Sequence, residues 1–260
     1  MKTIDPFVSI KMHGTTPLYK RANLGKVISV LETASLTPTS WSLDERTNIP
    51  YDKKEILARK WTPIDSLYLR LRGKKQYEAT LDVGDLTPAI EIEFKPTLAA
   101  AHVKEVFDLF TEWVKAFQPD LAVTHIGPPF QYPVQTDFDR YAALMHSVGK
   151  LASKHFHKAG PGGLAPRTYF GPHYVMQFGK KLLLSTPAAS VREEKDGGIT
   201  IDLVPEPWKV DGEKLIEAWR RAMDHLRPAE ILAITSMTPN GMVEYTRAPR
   251  CHIGGRIERK

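Results

Sequence analysis

Apolar positions in the first half of the chain recur with two periods, which predict helices alternating with strands. Apolar residues spaced three or four apart over 18–35 and 99–117 predict two amphipathic helices. Apolar residues at every second position over 67–71, 77–83 and 90–94 predict three strands with one polar face each. The other predicted elements are an alternating strand through Val8, Ile10 and Met12, a short helix at 52–59 and a buried strand at 121–126.

The second half of the chain follows the same order after a proline-rich segment. It predicts a helix at 137–157, strands at about 168–178, 181–186 and 199–204, a helix at 212–226 and a strand at 231–235. The Asp196-Gly197-Gly198 sequence suits a hairpin turn before the third of these strands. Both halves end with a helix, a proline and an apolar strand that contains Ala-x-Thr, at 117–124 and at 226–235.

These elements predict an α+β protein made of two similar α-β-β-β-α-β units, each a mostly antiparallel sheet backed by helices. The predicted boundaries are 1–126 for the N-terminal unit and 137–248 for the C-terminal unit. Residues 127–136 form the proline-rich connection between them, and 249–260 form a basic tail.

Composition narrows the class of protein. The 260 residues are 42% apolar and 25% charged, as is typical of soluble globular proteins, and no apolar run reaches the ~18 residues of a membrane span. The first residues lack the apolar block of a secretory signal, and Cys251 is the single cysteine, so we expect a cytoplasmic protein without internal disulfides. Much of the net charge of +6 lies in the last fourteen residues, which favours a solvated tail over a nucleic-acid-binding arm.

Two carboxylates and a lysine suggest an enzymatic alternative. Glu93-x-Lys95 on one predicted strand and Asp82 on the strand before it match the local pattern of nucleases with a restriction-endonuclease fold. There, carboxylates hold a divalent metal while a lysine stabilises charge at the reacting phosphate. All three residues also fall on polar strand faces, where exposed ion pairs explain them without catalysis. A metal-dependent nuclease therefore remains the alternative.

Other chemistry receives less support from the sequence. His155 and His157 would lie on different sides of a helix, and Gly160 to Pro166 lacks the lysine and hydroxyl residue of a phosphate-binding loop. We therefore expect no catalytic residues, no bound metal and no cofactor. Tyr68, Arg70 and Arg72 give a faint version of an RNA-binding sheet face, which Glu91 and Glu93 dilute. A basic nucleic-acid-binding module is a further alternative, although nucleic acid is a disfavoured partner.

Several aromatic residues lie in predicted turns rather than on apolar stripes. Tyr, Trp and Arg dominate the binding energy of protein interfaces, so such residues are candidates for contact with a partner. In the second half, Arg167, Tyr169, His173 and Trp208 fall near the ends of predicted strands. We predict that these four residues form a partner-binding patch.

The wider pattern of the chain resembles a known family. The segments that carry the resemblance are Leu36-Thr-Pro-Thr-Ser-Trp41 with Pro50-Tyr-Asp52, Tyr169-Phe-Gly-Pro-His173, the strand from Asp196 to Leu203 and Pro205-Glu-Pro-Trp208. With the helix at 212–226, they are similar to the immunity proteins of bacterial polymorphic-toxin systems, in particular to immunity protein fifty-two. The genes of that family lie beside toxins with a restriction-endonuclease fold.

The resemblance implies a non-enzymatic α+β protein of the bacterial cytoplasm in a toxin–immunity system such as those of type VI secretion. Its partner would be a cognate toxin, in this family a nuclease, and no membrane association is implied. The basic pI of about 9.2 argues against an acidic mimic of nucleic acid in a nuclease groove. We therefore expect it to neutralise the toxin by binding it elsewhere, so as to block its folding, assembly or delivery.

Overall fold

The computed structural model describes residues 2–62, 64–84, 88–96, 98, 100–150, 160–209, 211–237 and 243–251. These residues form two compact units. The N-terminal unit comprises Phe7–His125, and the C-terminal unit comprises the described residues from Ile126 onward together with those up to Pro6. The first residues join the C-terminal unit because strand β1 (Lys2–Ile4) pairs with strand β9 (Phe130–Tyr132) in antiparallel register. The fold is α+β, as the sequence predicts.

The N-terminal unit follows the predicted order closely. Its strands are β2 (Phe7–His13), β3 (Ser40–Ser42), β4 (Ile49–Pro50), β5 (Ser66–Leu71), β6 (Tyr77–Asp82), β7 (Ala89–Phe94) and β8 (Leu121–Gly127). Its helices are α1 (Arg21–Thr33), α2 (Lys53–Ala58) and α3 (Ala100–Phe117). The predicted helices at 18–35, 52–59 and 99–117 and the strands at 67–71, 77–83 and 90–94 are therefore confirmed.

A single row of apolar residues shows how the register forms the core of this unit. The strands lie in the order β8-β2-β7-β6-β5-β3-β4. Ile10 lies opposite Ile92, which lies opposite Ala79, which in turn lies opposite Leu69, and all four are buried. Because side chains alternate along a strand, this face is apolar while the intervening positions are polar. Helix α3 packs against β2 and against α1, to which the Trp113 indole donates a hydrogen bond at the Val27 carbonyl (3.0 Å).

The C-terminal unit has more helix than the sequence predicts. Its further strands are β10 (Arg167–Phe170), β11 (Ser190–Glu193), β12 (Ile199–Asp202), β13 (Ile234–Met237) and β14 (Val243–Thr246). Its helices are α4 (Asp137–Lys150), α5 (Pro172–Phe178), α6 (Lys180–Leu184) and α7 (Gly212–Leu226). Strands β11, β12 and β10 lie side by side, and β13 pairs with β14. No helix among the described residues combines the length and apolar character needed to cross a bilayer.

The strand predicted at 168–178 is correct only as far as Phe170, where β10 ends, and the strand predicted at 181–186 is wrong, because two helices follow. Pro172 occupies the first turn of α5, where its fixed φ and missing N–H fit a helix start. The buried residues Tyr174, Val175 and Phe178 then recur at helical spacing. Gly179 has a φ of 85° and separates α5 from α6. The predicted hairpin at 196–198 is confirmed, since Gly197 has a φ of 84° between the antiparallel strands β11 and β12.

Two other predictions change or fall outside the described residues. The strand predicted at 231–235 begins later, at Ile234. The second half of the helix predicted at 137–157, with His155 and His157, lies outside the described residues, as does the tail beyond Cys251. Cys251 itself is buried, and this burial raises the pKa of its thiol despite the nearby Arg247.

Asp139 fixes the start of α4. The Asp139 N–H donates to the Thr136 hydroxyl (3.1 Å), and the Asp139 carboxylate accepts from the Thr136 N–H (3.0 Å), which is a reciprocal capping arrangement. The same carboxylate accepts from the Gln131 N–H in β9 (2.8 Å). The Gln131 N–H and the Thr136 hydroxyl stabilise the charged form, so the pKa of Asp139 lies below its ordinary value. One side chain thus joins α4 to β9.

Candidate functional site

Arg167, one of the predicted contact residues, is engaged within its own unit. Its guanidinium donates to both carboxylate oxygens of Asp202, from Nε to Oδ1 at 2.6 Å and from Nη2 to Oδ2 at 3.2 Å. Arg192 adds a third bond to Asp202 Oδ2 at 2.8 Å. The pair is well shielded, since the Arg167 and Asp202 side chains are 11% and 6% exposed. This network links β10 and β11 to β12, so its main role is to stabilise the sheet.

Tyr169 is fully buried. Its ring lies over Gly198, where any Cβ would collide with the ring, and its hydroxyl donates to Asp196 Oδ2 (2.8 Å). The Asp196 carboxylate in turn accepts from the Gly198 N–H (3.0 Å). Tyr169 therefore packs against the β11–β12 turn and stabilises it. Gly198 has the residue type that this close approach requires.

The structure brings only part of the predicted patch together. Arg167 and Tyr169 are two residues apart on β10 and share one face. His173 is half-buried on α5, which packs through Tyr174 and Phe178 against Phe170 on the other face of β10. Its Nε2 lies 2.6 Å from the Gln177 amide nitrogen. Trp208 is half-buried in the loop after β12.

The register separates the residues of the predicted nuclease site. Glu93 lies opposite Glu78 on β6, and Asp82 lies four residues further along that strand, opposite Ala89. At about 3.4 Å per residue, Asp82 is about 14 Å away along the strand, far beyond the span of one metal's ligands. Asp82 instead accepts a hydrogen bond from the Ser66 hydroxyl (2.8 Å). Within the described residues, no three histidine, cysteine or acidic side chains are placed to hold a metal ion.

Arg70, the centre of the faint RNA-binding pattern, is buried and supports a loop. Its guanidinium donates to the Glu45 and Thr47 carbonyls (2.8 and 2.9 Å) and to the Ser42 hydroxyl (3.0 Å). It also lies over the Tyr68 ring. With these contacts made, Arg70 orders residues 42–48 and does not present its charge on the sheet face.

A groove lies on the helical side of the N-terminal unit and is lined by residues of α1, α2 and α3. We call it the α1 groove. It is a shallow, open depression of about 1000 Å³ beside the first half of α1. A second hollow of about 500 Å³ shares Ser29, Val30 and Glu112 with it and continues along the second half. The lining residues of the larger part are Arg21, Ala22, Gly25, Lys26, Ser29, Val30, Lys53, Leu57, Glu112, Lys115 and Ala116.

Charge is divided along the α1 groove. The end beside the start of α1 carries Arg21, Lys26, Lys53 and Lys115, whereas the other end carries Glu105, Asp108 and Glu112. Most of these charges are paired nearby: Lys53 with Glu32, Lys115 with Glu112, Asp108 with Lys104 and Glu105 with Lys75. Arg21 and Lys26 form no ion pair with any residue that the structure describes. The charge available to a partner is therefore positive.

The pattern of residues along the chain does not by itself reveal the α1 groove. The available signal was local: α1 begins with Lys20 and Arg21 and has no acidic residue in its first turn, although negative charge is favoured there. Gly25 lies inside the helix, where glycine costs about 1 kcal/mol relative to alanine. Arg21 is exposed, and Gly25 is half-buried and faces Leu57 of α2. Helix stability does not explain why these two residues occur in α1.

Comparisons with known proteins give a structural likeness without a sequence family. No protein-family model matches the chain, and no characterised protein sequence matches it. Among solved structures, the T6SS protein PA0821 of Pseudomonas aeruginosa is similar, with a TM-score of 0.56 and 10% sequence identity. The match covers 97% of this chain and 79% of that protein. At this identity the likeness extends to the fold, and the resemblance to immunity protein fifty-two has no support from a family model.

Proposed function

We infer that this protein is a bacterial immunity protein that binds and neutralises a cognate secreted toxin by protein–protein contact. The observation that carries the proposal is the structural similarity to a T6SS protein over almost the whole chain. Type VI secretion systems deliver toxins between bacteria, and the producing cells need protection from them. A non-enzymatic binding role in the cytoplasm agrees with this setting.

The α1 groove is the best-supported contact surface for such a role. It is open, and it combines apolar side chains with two cations, Arg21 and Lys26, that form no ion pair with any described residue. The helix that carries these cations does not require them at its start. Arg167 and Tyr169 are engaged within the C-terminal unit, so their proposed role becomes indirect support of the sheet. His173 and Trp208 remain secondary candidates for contact, since both are half-buried rather than fully buried.

The test begins with capture of a partner from the cells that produce this protein. The tagged protein is incubated with their lysate at 50 mM and 500 mM salt, and bound proteins are identified by mass spectrometry. The captured protein is then expressed in a sensitive host with and without this chain. Stoichiometric capture of a toxic protein whose toxicity this chain relieves would support the proposal.

Two results would contradict it. Recovery of nucleic acid that dissociates at high salt would indicate phosphate-driven binding instead, because such binding weakens steeply as salt rises. Capture of a protein that is not toxic, or whose toxicity this chain does not relieve, would exclude the immunity role. A Trp208→Ala variant that binds the toxin normally would remove that residue from the interface while leaving the function in place.

A further inference from the structure

We propose that the α1 groove receives an acidic amphipathic helix of the partner, with its acidic end beside Arg21 and Lys26. The identity of the partner as a toxin rests on the function proposed above. The chemistry of the docking segment rests on the groove itself.

The charge of the α1 groove favours an acidic partner segment. Lys53 and Lys115 already face Glu32 and Glu112, so an incoming acidic group gains less from them. Arg21 and Lys26 lie on successive turns of α1 and have no ion-pair partner among the described residues. The start of α1 adds the positive end of its dipole to the same region, and Lys20 there supplies no side-chain cap. Acidic side chains of a partner fit this potential, whereas basic ones are repelled.

The shape of the α1 groove favours a helical partner segment. Three of the α1 residues that line the groove are small, namely Ala22, Gly25 and Ser29. Val30 and Leu57 supply apolar surface. Thirteen residues of α1 span about 20 Å, which matches an approaching helix of four turns. Small side chains allow the axes of packed helices to approach closely, and a helix bound in a groove uses apolar anchors at i, i+3 or i+4 and i+7.

Gly25 provides a specific indication of close approach. A Cβ at this position would meet only Leu57 side-chain carbons, at 3.5 and 3.8 Å, which is ordinary contact. A methyl group therefore fits here, whereas a longer side chain would meet Leu57 of α2. Glycine in place of alanine nevertheless costs the helix stability. An approaching helix accounts for the missing side chain.

The direct test uses two defined probes. One is a fluorescein-labelled 15-residue peptide with leucines at helical spacing and glutamates at the other positions of its first two turns; the second has lysines in place of those glutamates. We expect the full-length protein to bind the acidic peptide at least tenfold more tightly in fluorescence anisotropy. Equal affinity for the two peptides, or no binding of the acidic one, would overturn the proposal.

Matched variants assign the effect to the groove. The double variant Arg21→Glu/Lys26→Glu should lose at least tenfold in affinity for the acidic peptide. The control Lys74→Glu/Lys195→Glu makes the same change in net charge at two exposed turn residues and should retain affinity. Gly25→Leu adds bulk between α1 and Leu57 without changing charge, and it should weaken binding as well. Thermal unfolding checks that each variant is folded, and a loss of affinity shared equally by the control would refute the assignment.

The same variants separate this inference from the proposed function. If the wild-type protein captures a toxin and Arg21→Glu/Lys26→Glu captures it equally well, the groove is not the docking site and the immunity role stands. If the peptides behave as expected but no toxin is captured, the groove binds acidic helices and the immunity role fails.

Discussion

The β10–β12 region and helix α1 both carry residues of the types that are common at protein interfaces. They differ in whether those residues already bond to other residues of the chain. Around β10 and β12, Arg167 and Tyr169 are shielded and bonded to Asp202 and Asp196. On α1, Arg21 is exposed and has no ion-pair partner among the described residues. Residue type alone therefore does not mark a contact surface. Side chains that are exposed and not bonded within the chain do mark one, because only they are available to bond a partner.

This contrast predicts opposite consequences for mutation. Changes around Tyr169 should lower the free energy of unfolding and affect binding only through the fold. Changes on the exposed side of α1 should affect binding while leaving stability unchanged or higher. Each variant should therefore be measured for both quantities.

The largest expected effect is that of Tyr169→Ala. Removing a fully buried aromatic ring should reduce the free energy of unfolding by about 3–5 kcal/mol, because it leaves a cavity where the ring covered Gly198. Tyr169→Phe keeps the ring and loses the bond to Asp196, at a cost of about 1 kcal/mol. Urea unfolding of both variants checks this order. If Tyr169→Ala were as stable as the wild type yet failed to bind the partner, Tyr169 would belong to the interface after all.

The next effect is that of Asp202→Asn, which removes the charge facing Arg167. Arg167 would then be left shielded without its counter-ion, and we expect a loss of about 2–3 kcal/mol, below the full cost of a completely buried pair. The matched change Arg192→Met should cost less than about 1 kcal/mol, because Arg192 is half exposed and remains hydrated. Urea unfolding distinguishes the two, and equal losses would show that shielding of Arg167 does not set the cost.

A third effect appears as pH dependence. The pKa of Asp139 is lowered in the folded chain, so its contribution to stability is present above the ordinary carboxyl pKa near 4 and is lost as pH falls through the lower folded value. Asp139→Asn should therefore destabilise the protein at pH 7 and flatten the decline in melting temperature below pH 4. Asp137→Asn, on the same first turn of α4, should keep most of that decline. If the melting temperature of Asp139→Asn fell below pH 4 as it does in the wild type, the capping contacts of Asp139 would not cause the pH dependence of stability.

Much of the fold was predictable because local signals agree with the tertiary structure. Helix α7 begins after Asp211, whose carboxylate caps it, and its apolar stripe continues to Leu226 as predicted. The prediction fails where a short apolar run suits both a strand and a helix. Between Phe170 and Phe178 the position of Pro172 decides in favour of a helix, and alternation alone does not reveal this.

The candidate site was less predictable, since it depends on which side chains bond to one another in the folded chain. The position of Tyr169 in a sequence indicates an exposed turn, but the register that places it over Gly198 appears only in the sheet. Asp82 and Glu93 are close to a nuclease pattern in the sequence, and four positions of register separate them. Arg21 and Lys26 attract no attention as ordinary surface cations until their neighbours are known.

The smallest effect, Gly25→Ala, tests the α1 side of the comparison most directly. Alanine is the better helix former and its Cβ meets only ordinary contacts, so we expect stability to rise by about 0.5–1 kcal/mol. The added methyl group also narrows the groove, so binding of the acidic peptide should weaken modestly as stability rises. Serine at the same position offers a control of similar size with poorer helix propensity, which should weaken binding without the full gain in stability. A fall in stability would show that the fold does need glycine here, and the groove would then lose its strongest sign of a function separate from folding.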